Sequence, residues 1–369
     1  MTFIVLIFML LLYYKLCNKK YELGSRVFIT IMCIVLILLS GLRHEGVGID
    51  TLVYLRNFEN NANLSWADVF DNFFTRFFFS SVDNSKDPGY FVFLKLLHTF
   101  HINKRIFLFI IATLTIVPFG IFTYQNSKNL KTVLFAFGFY LTLFYGYLPN
   151  SAIRQSLALS FILWAYLFLC NKKIFKGVCL IVVGATFHKT ALIVLVLIPI
   201  LYLKNIQKVY KCILLPFIVT LMFPETIAQL LVGSNEVYSG YSDGSYYENN
   251  QGSKPYVIIL LITLFYIIGW VYIRKLTMTF IKQRMKLLFL GCALTFMLIP
   301  LIWSDPAAIR VISYFAPCMG IIVGASLSYN KEIRFLFPLL FAAFLYRSIS
   351  VNDNYFFMWQ MMELHERYL

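Results

Sequence analysis

Residues 106–124, IFLFIIATLTIVPFGIFTY, decide the fold. They run for nineteen residues without a charge. At 1.5 Å per residue a helix of that length covers about 28 Å, close to the roughly 30 Å hydrocarbon core of a bilayer. An amphipathic surface helix would return a charged residue every turn; here only threonines and a tyrosine interrupt the apolar run. Outward from this stretch, apolar segments recur at 2–17, 25–42, 132–148, 152–170, 174–187, 190–203, 212–232, 256–273, 287–303, 309–327 and 335–350. With 106–124 they make about twelve transmembrane helices. Residues 2–17 carry their lysines after the apolar run rather than before it, so they read as a retained first span and not a cleaved leader. The pair 174–187 and 190–203 reads as a tight hairpin with His188 and Lys189 at its tip. The expected fold is an all-α polytopic membrane protein, residues 1–369 forming a single transmembrane domain.

Composition agrees. The chain of 369 residues is 60% hydrophobic and 13% charged, against about 25% charged in a soluble domain. The net charge of +15 raises nucleic acid as a partner, but no basic cluster sits on a polar, aromatic-rich background, so nucleic acid is not expected. Seven cysteines are scattered singly. An odd number without a CxxC pair argues against a disulfide framework or a zinc site.

Charge placement sets the expected topology. With the N-terminus outside and the helices alternating, the inner loops hold nineteen of the 32 basic residues, from Lys15 to Arg334, and only Glu22 and Glu332 of the 17 acidic ones. That bias follows the positive-inside rule. Two short segments fit as amphipathic helices on the outer, periplasmic side. They are 65–80, SWADVFDNFFTRFFFS, and 88–102, PGYFVFLKLLHTFHI, the second interfacial or re-entrant. A full crossing at 88–102 would move Lys128, Lys131 and Lys172 to Lys176 outside and break the pattern. The outer loops are then about 43–105 and 233–255, the latter rich in tyrosine (Tyr238, Tyr241, Tyr246, Tyr247) and suited either to sugar rings or to a plain interfacial loop.

Five polar motifs interrupt the apolar background on that outer side. Charge at a membrane edge is costly, which makes it a functional signal. Arg43-His44-Glu45-Gly46-Val47-Gly48-Ile49-Asp50-Thr51, with Tyr54, follows the second span. Asp87-Pro88-Gly89-Tyr90 reads first as an ordinary helix start, with Pro in the first turn. Asn150-Ser151-Ala152-Ile153-Arg154-Gln155 opens a long helix with an arginine, which opposes the helix dipole unless an anion compensates it. Phe187-His188-Lys189-Thr190 lies at the hairpin tip. Ser304-Asp305-Pro306-Ala307-Ala308-Ile309-Arg310, then Tyr314, again puts an arginine at an outer helix start. Three arginines and a histidine on one face point to a phosphate-bearing lipid, because guanidinium groups bind pyrophosphate bidentately. No DxD, HExxH or phosphate loop is present, and no metal is expected.

In this order and spacing the motifs RhegvGiDtlvY, DPGY, NsaiRQslA, FHkTAL and aiRvisYF resemble the EpsG-type polysaccharide polymerases, relatives of the Wzy O-antigen and capsule polymerases, from about Arg43 to Tyr314. Thr190 stands where that family often has serine. The resemblance implies a bacterial inner-membrane glycosyltransferase of the GT-C-like kind, working without metal or other cofactor on the periplasmic face. It would move a growing glycan from undecaprenyl pyrophosphate onto the terminal sugar of a lipid-linked repeat unit, with membrane lipid and a chain-length regulator protein as partners. In that reading Arg154, Arg310 and Arg43 bind the pyrophosphate. Gln155, Tyr54, Tyr90 and Tyr314 contact the glycan. The catalytic base is His188, whose ordinary pKa lies near neutrality, or Asp50. Two rivals share the donor. An O-antigen ligase would transfer to lipid A-core. A flippase should show related halves and charge along a through-path, and neither is visible.

Overall fold

The computed structural model describes residues 1–48, 50–71, 73–78, 87–203, 205–224, 226–227, 256–276, 283–303, 308–350 and 355–360. The tyrosine-rich loop 233–255 and Ser304 to Ala307 lie outside them.

Among the described residues the chain is helical, with no strand beyond one isolated bridge between Arg43 and Phe357. The helices are α1 (Thr2–Leu16), α2 (Tyr21–Gly41), α3 (Thr51–Asn60), α4 (Trp66–Asp71), α5 (Phe73–Phe78), α6 (Pro88–Thr99), α7 (Lys104–Asn126), α8 (Leu130–Tyr140), α9 (Ile153–Cys170) and α10 (Ile174–Phe187). They continue with α11 (Leu197–Leu201), α12 (Ile206–Cys212), α13 (Leu214–Met222), α14 (Tyr256–Lys275), α15 (Gln283–Leu298), α16 (Ile309–Ile312), α17 (Ala316–Tyr329) and α18 (Leu336–Ser350). Among the described residues, five helical stretches are long and apolar enough to cross a bilayer: Tyr21–Gly41, Lys104–Asn126, Ile153–Cys170, Tyr256–Lys275 and Arg284–Ile302. Shorter apolar helices lie at Thr2–Leu16, Leu130–Tyr145, Ile174–Phe187, Lys189–Leu201, Ala316–Tyr329 and Leu336–Ser350.

Two features separate the bundle from a soluble one. Its outer surface is apolar: Phe175 is 80% exposed, Val257 72% and Leu215 70%. Water would not tolerate a continuous shell of this kind, whereas hydrocarbon does. Its centre is close-packed around α9 and α17, which bury most of their length. Small residues let the helices approach, as expected where packing rather than the hydrophobic effect drives helix association. A Cβ on Gly184 would meet the Ala158 carbonyl at 3.2 Å, and one on Gly324 would meet Thr132 backbone atoms at 3.1 Å.

Cross-chain hydrogen bonds sort the helix ends into two sets. One set joins Tyr21 to the Ser127 carbonyl, Arg26 to Tyr124, Arg284 to the Gln125 carbonyl, Lys286 to the Leu201 and Leu203 carbonyls, and Lys275 to Asn330. The other joins Arg105 to the Gly41 and Arg43 carbonyls, Ser40 to Asn150, and His44 to the Phe356 carbonyl. Consecutive long helices run from one set to the other. The lysine-rich loops therefore gather at one end of the bundle, and the described residues of the five polar motifs at the opposite end.

Three elements differ from the sequence reading. The run 132–148 is α-helical only to Tyr140 and continues as a π-helix, Leu141–Tyr145. The extra residue per turn re-aims the chain into the Asn150 loop, a common device beside functional sites. The second arm of the hairpin is a 3-10 helix, Lys189–Val196, before α11. The run 309–327 is not one helix. Arg310 sits in the four-residue α16, and a break at Ser313 to Phe315 separates it from α17.

Candidate active site

The polar end is assembled by backbone approach. Gly48 has φ +95°, a left-handed conformation that favours glycine, and its Cβ would lie 2.0 Å from the Asn150 carbonyl oxygen. Thr51 Oγ1 donates to that same carbonyl at 2.6 Å, and Ser40 Oγ donates to Asn150 Oδ1 at 2.9 Å. The loop after α2 is thereby pinned to the turn before α9. This brings Asp50 into the electrostatic field of Arg310 and Arg154. Burial raises the Asp50 carboxyl above its ordinary value, and the two arginines oppose that rise.

A second close approach brings in α6. A Cβ on Gly89 would stand 2.1 Å from Thr186 Oγ1 and 2.7 Å from Thr186 Cβ, so only glycine lets the start of α6 meet the end of α10. Asp87, immediately before α6, is buried and left-handed at φ 69°. Its Oδ2 lies 2.9 Å from Arg154 Nη1 and 3.7 Å from His188 Nδ1. Burial pushes the Asp87 carboxyl up, but His188, Arg154 and the Lys189 backbone N–H together hold it below its ordinary value. Asp87 is therefore an anion at neutral pH, and it is the anion that compensates the arginine at the start of α9. The sequence places the compensating charge on a ligand; the fold supplies it from within the chain.

His188 breaks the helix between α10 and the 3-10 arm with an extended backbone. It is 8% exposed, and its Nε2 is buried without a hydrogen-bond partner. An orphaned buried nitrogen of this kind costs about 1–3 kcal/mol. Beside it, Thr190 Oγ1 and Tyr314 Oη lie 3.4 Å apart. Arg154 lies over the Tyr54 ring at 5.8 Å, and Tyr54 meets Tyr90 edge to face at 5.8 Å. Two-thirds of the Arg154 side chain is covered and the rest is open. The buried Tyr90 hydroxyl also has no partner.

Arg310 enters from α16. Its Nε donates to Tyr147 Oη at 3.1 Å, and Tyr147 in turn donates to Gln155 Oε1 at 3.1 Å. Gln155 Nε2 donates to the Arg310 carbonyl at 2.7 Å and to Ser313 Oγ at 2.6 Å. Gln155 is thus a buried strut that fixes Arg310 beside α9, where the sequence reading has it contacting glycan.

The structure brings together Asp50, Tyr54, Tyr90, Arg154, Gln155, His188, Arg310 and Tyr314. Arg43 stands apart. Its guanidinium is fully buried, Nη1 donates to the Ser40 carbonyl and to Ser40 Oγ, and its titratable neighbours are Tyr145, Tyr355 and Arg105. It caps the carbonyl end of α2 beneath residues 355–358. Sequence reasoning gave no role to Tyr147 or Ser313, and it read Asp87 as a helix start. The one signal for Asp87 was chemical: an arginine at a helix N-terminus inside a membrane protein needs a carboxylate, and DPGY supplies one on the same side.

A family model described as the EpsG family matches residues 26–361, nearly the whole chain. No curated protein and no solved structure matches.

Proposed function

The chain belongs to the EpsG family, a Wzy-like polymerase family, and from that premise we propose that it is the repeat-unit polymerase of an O-antigen or capsular polysaccharide. It would take the growing glycan from undecaprenyl pyrophosphate and place it on the terminal sugar of a lipid-linked repeat unit at the periplasmic face of the inner membrane. The observation that carries this reading is the joining of Arg154, Asp87, His188, Asp50 and Arg310 at the end of the bundle opposite the lysine-rich loops. That end is the periplasmic one if the positive-inside rule holds.

The acceptor hydroxyl gives its proton to His188 as its oxygen bonds to the anomeric carbon of the donor. The bond from that carbon to the phosphate oxygen breaks, and undecaprenyl pyrophosphate leaves with the electron pair. Arg154 and Arg310 are fixed cations for the charge that develops on the leaving group, a preorganised arrangement worth far more in a dry cleft than in water. Tyr54, Tyr90 and Tyr314 are buried, at 7%, 1% and 0% exposure, and pack behind these groups, so they shape the cleft rather than offer open ring faces to the glycan. No step needs a metal.

Glycan profiling of a deletion strain tests the reading. A polymerase deletion leaves a single repeat unit on the final acceptor and no ladder. A ligase deletion instead accumulates full-length polymer on the lipid carrier, and that result would overturn the proposal.

A further inference from the structure

Asp87 Oδ2 faces Arg154 and His188 with one oxygen. It holds Arg154 Nη1 at hydrogen-bond distance, 2.9 Å, and leaves His188 Nδ1 outside it, 3.7 Å away. Meanwhile His188 Nε2 has no partner. The imidazole is buried and in place, and at that distance the carboxylate beside it holds it only weakly. We propose that Asp87 is a positioning residue passed from Arg154 to His188 when a pyrophosphate binds, so that the general base is oriented only when the donor is present.

Three physical points carry this. First, the Arg154–Asp87 pair is an internal competitor for any anionic ligand of Arg154. The pyrophosphate of a lipid donor brings more negative charge than one carboxylate and matches the guanidinium fork. It also repels the carboxylate. Second, besides the Lys189 backbone N–H that it already accepts from, the displaced Asp87 has one side-chain partner within reach, His188. Among the described residues around it, the cation on α9 is Arg154 and the titratable group at the hairpin tip is His188, while the neighbouring Lys189 side chain is exposed. A shift of under 1 Å closes the gap to Nδ1. Third, a carboxylate on Nδ1–H fixes the tautomer that leaves the lone pair on Nε2. Nε2 then takes the proton of the acceptor hydroxyl while that oxygen bonds the anomeric carbon and the pyrophosphate departs. Gly89 keeps the device short: its contact with Thr186 holds the start of α6 against the hairpin, so Asp87 travels between two fixed side chains, Arg154 and His188, rather than swinging on a loop. Without a donor the base would be held only weakly, which limits wasteful transfer to water.

The inference rests on the polymerase reading and makes one prediction that a structural role for Asp87 does not. Asp87→Asn removes the competing charge, so the full-length protein in nanodiscs should bind inorganic pyrophosphate about tenfold tighter, because Arg154 is no longer occupied internally. The same variant should lose about 10²-fold or more in kcat with lipid-linked repeat units, approaching the whole contribution of a general base. Tighter binding together with slower turnover is the signature. In an Arg154→Gln background, Asp87→Asn should leave pyrophosphate binding unchanged. A second measurement on the wild type covers a variant that fails to fold. With nitrogen-labelled histidine, added pyrophosphate should move the His188 Nδ1 resonance to that of a strong hydrogen-bond donor, and Nε2 should stay unprotonated. Pyrophosphate binding that depends on Arg154 but is equal or weaker in Asp87→Asn, or an unmoved Nδ1 resonance, overturns the handover alone. Binding that ignores Arg154 in every variant overturns the handover and the donor site together.

Discussion

The two ends of the bundle use the same residue types in opposite ways. At the lysine-rich end the cations are half-buried or exposed. Lys275 pairs with Glu332 at 2.8 Å, but the two side chains are 47% and 72% exposed. Lys286 and Arg284 lie against the carbonyls that close neighbouring helices, where a cation complements the helix dipole. At the opposite end Asp87 and Arg154 are 2.9 Å apart at 7% and 33% exposure. Coulomb attraction is several-fold stronger in the second setting because water no longer screens it, and removing one partner there leaves a buried charge behind. Charge at the first end stays within reach of water; charge at the second end is gathered into a packed cluster.

The sharpest way to break that contrast is His188. His188→Ala should accumulate in the membrane normally while polymer synthesis falls about 10²–10⁴-fold, the usual contribution of a general base. His188→Gln keeps a hydrogen-bonding side chain but cannot take the proton, so it should fail as well. Full-length polymer from the Gln variant, read on a gel ladder, would make His188 a positioning residue and promote Asp50 to base.

Gly89 tests whether the site depends on helix approach. Gly89→Ala forces a Cβ to within 2.7 Å of Thr186 Cβ, a clash no rotamer relieves. Overpacking of this kind costs about 1–3 kcal/mol, and the displaced α6 should carry Asp87 away from His188. Thermal melting in detergent should show the loss, and Thr186→Gly in the same chain should restore much of the activity. Activity that survives Gly89→Ala alone would mean that Asp87 reaches the site by another route.

The smallest effect belongs to the lysine-rich end. Lys275→Ala should change stability by at most about 0.5 kcal/mol, as for other exposed pairs, and leave polymer length unchanged. A loss comparable to that from the buried pair would erase the distinction between the two ends.

Much of this architecture was legible in the sequence, for a physical reason. Without water in the bilayer each span must satisfy its own backbone, so helices and apolar runs coincide. The segments 25–42, 106–124, 152–170 and 256–273 therefore lie within or nearly coincide with observed helices. The motifs at Asp50, Arg154, His188 and Arg310 stood out because charge beside such runs is costly. The runs at 132–148 and 309–327 were not legible in detail, because apolar composition does not distinguish α from π or 3-10 turns or mark a break such as Ser313 to Phe315.

What the sequence could not determine is pairing. Asp87 and Glu332 are each one acidic residue beside a helix end, and nothing local says that one is buried against Arg154 and His188 while the other is exposed beside Lys275. Likewise Arg43 and Arg154 are both outer-edge arginines, yet one caps α2 and the other faces the site. Sequence sets which residues reach the polar end, because helix length and alternation are local properties. Only tertiary packing, through contacts such as Gly48 on Asn150 and Gly89 on Thr186, decides which of them touch.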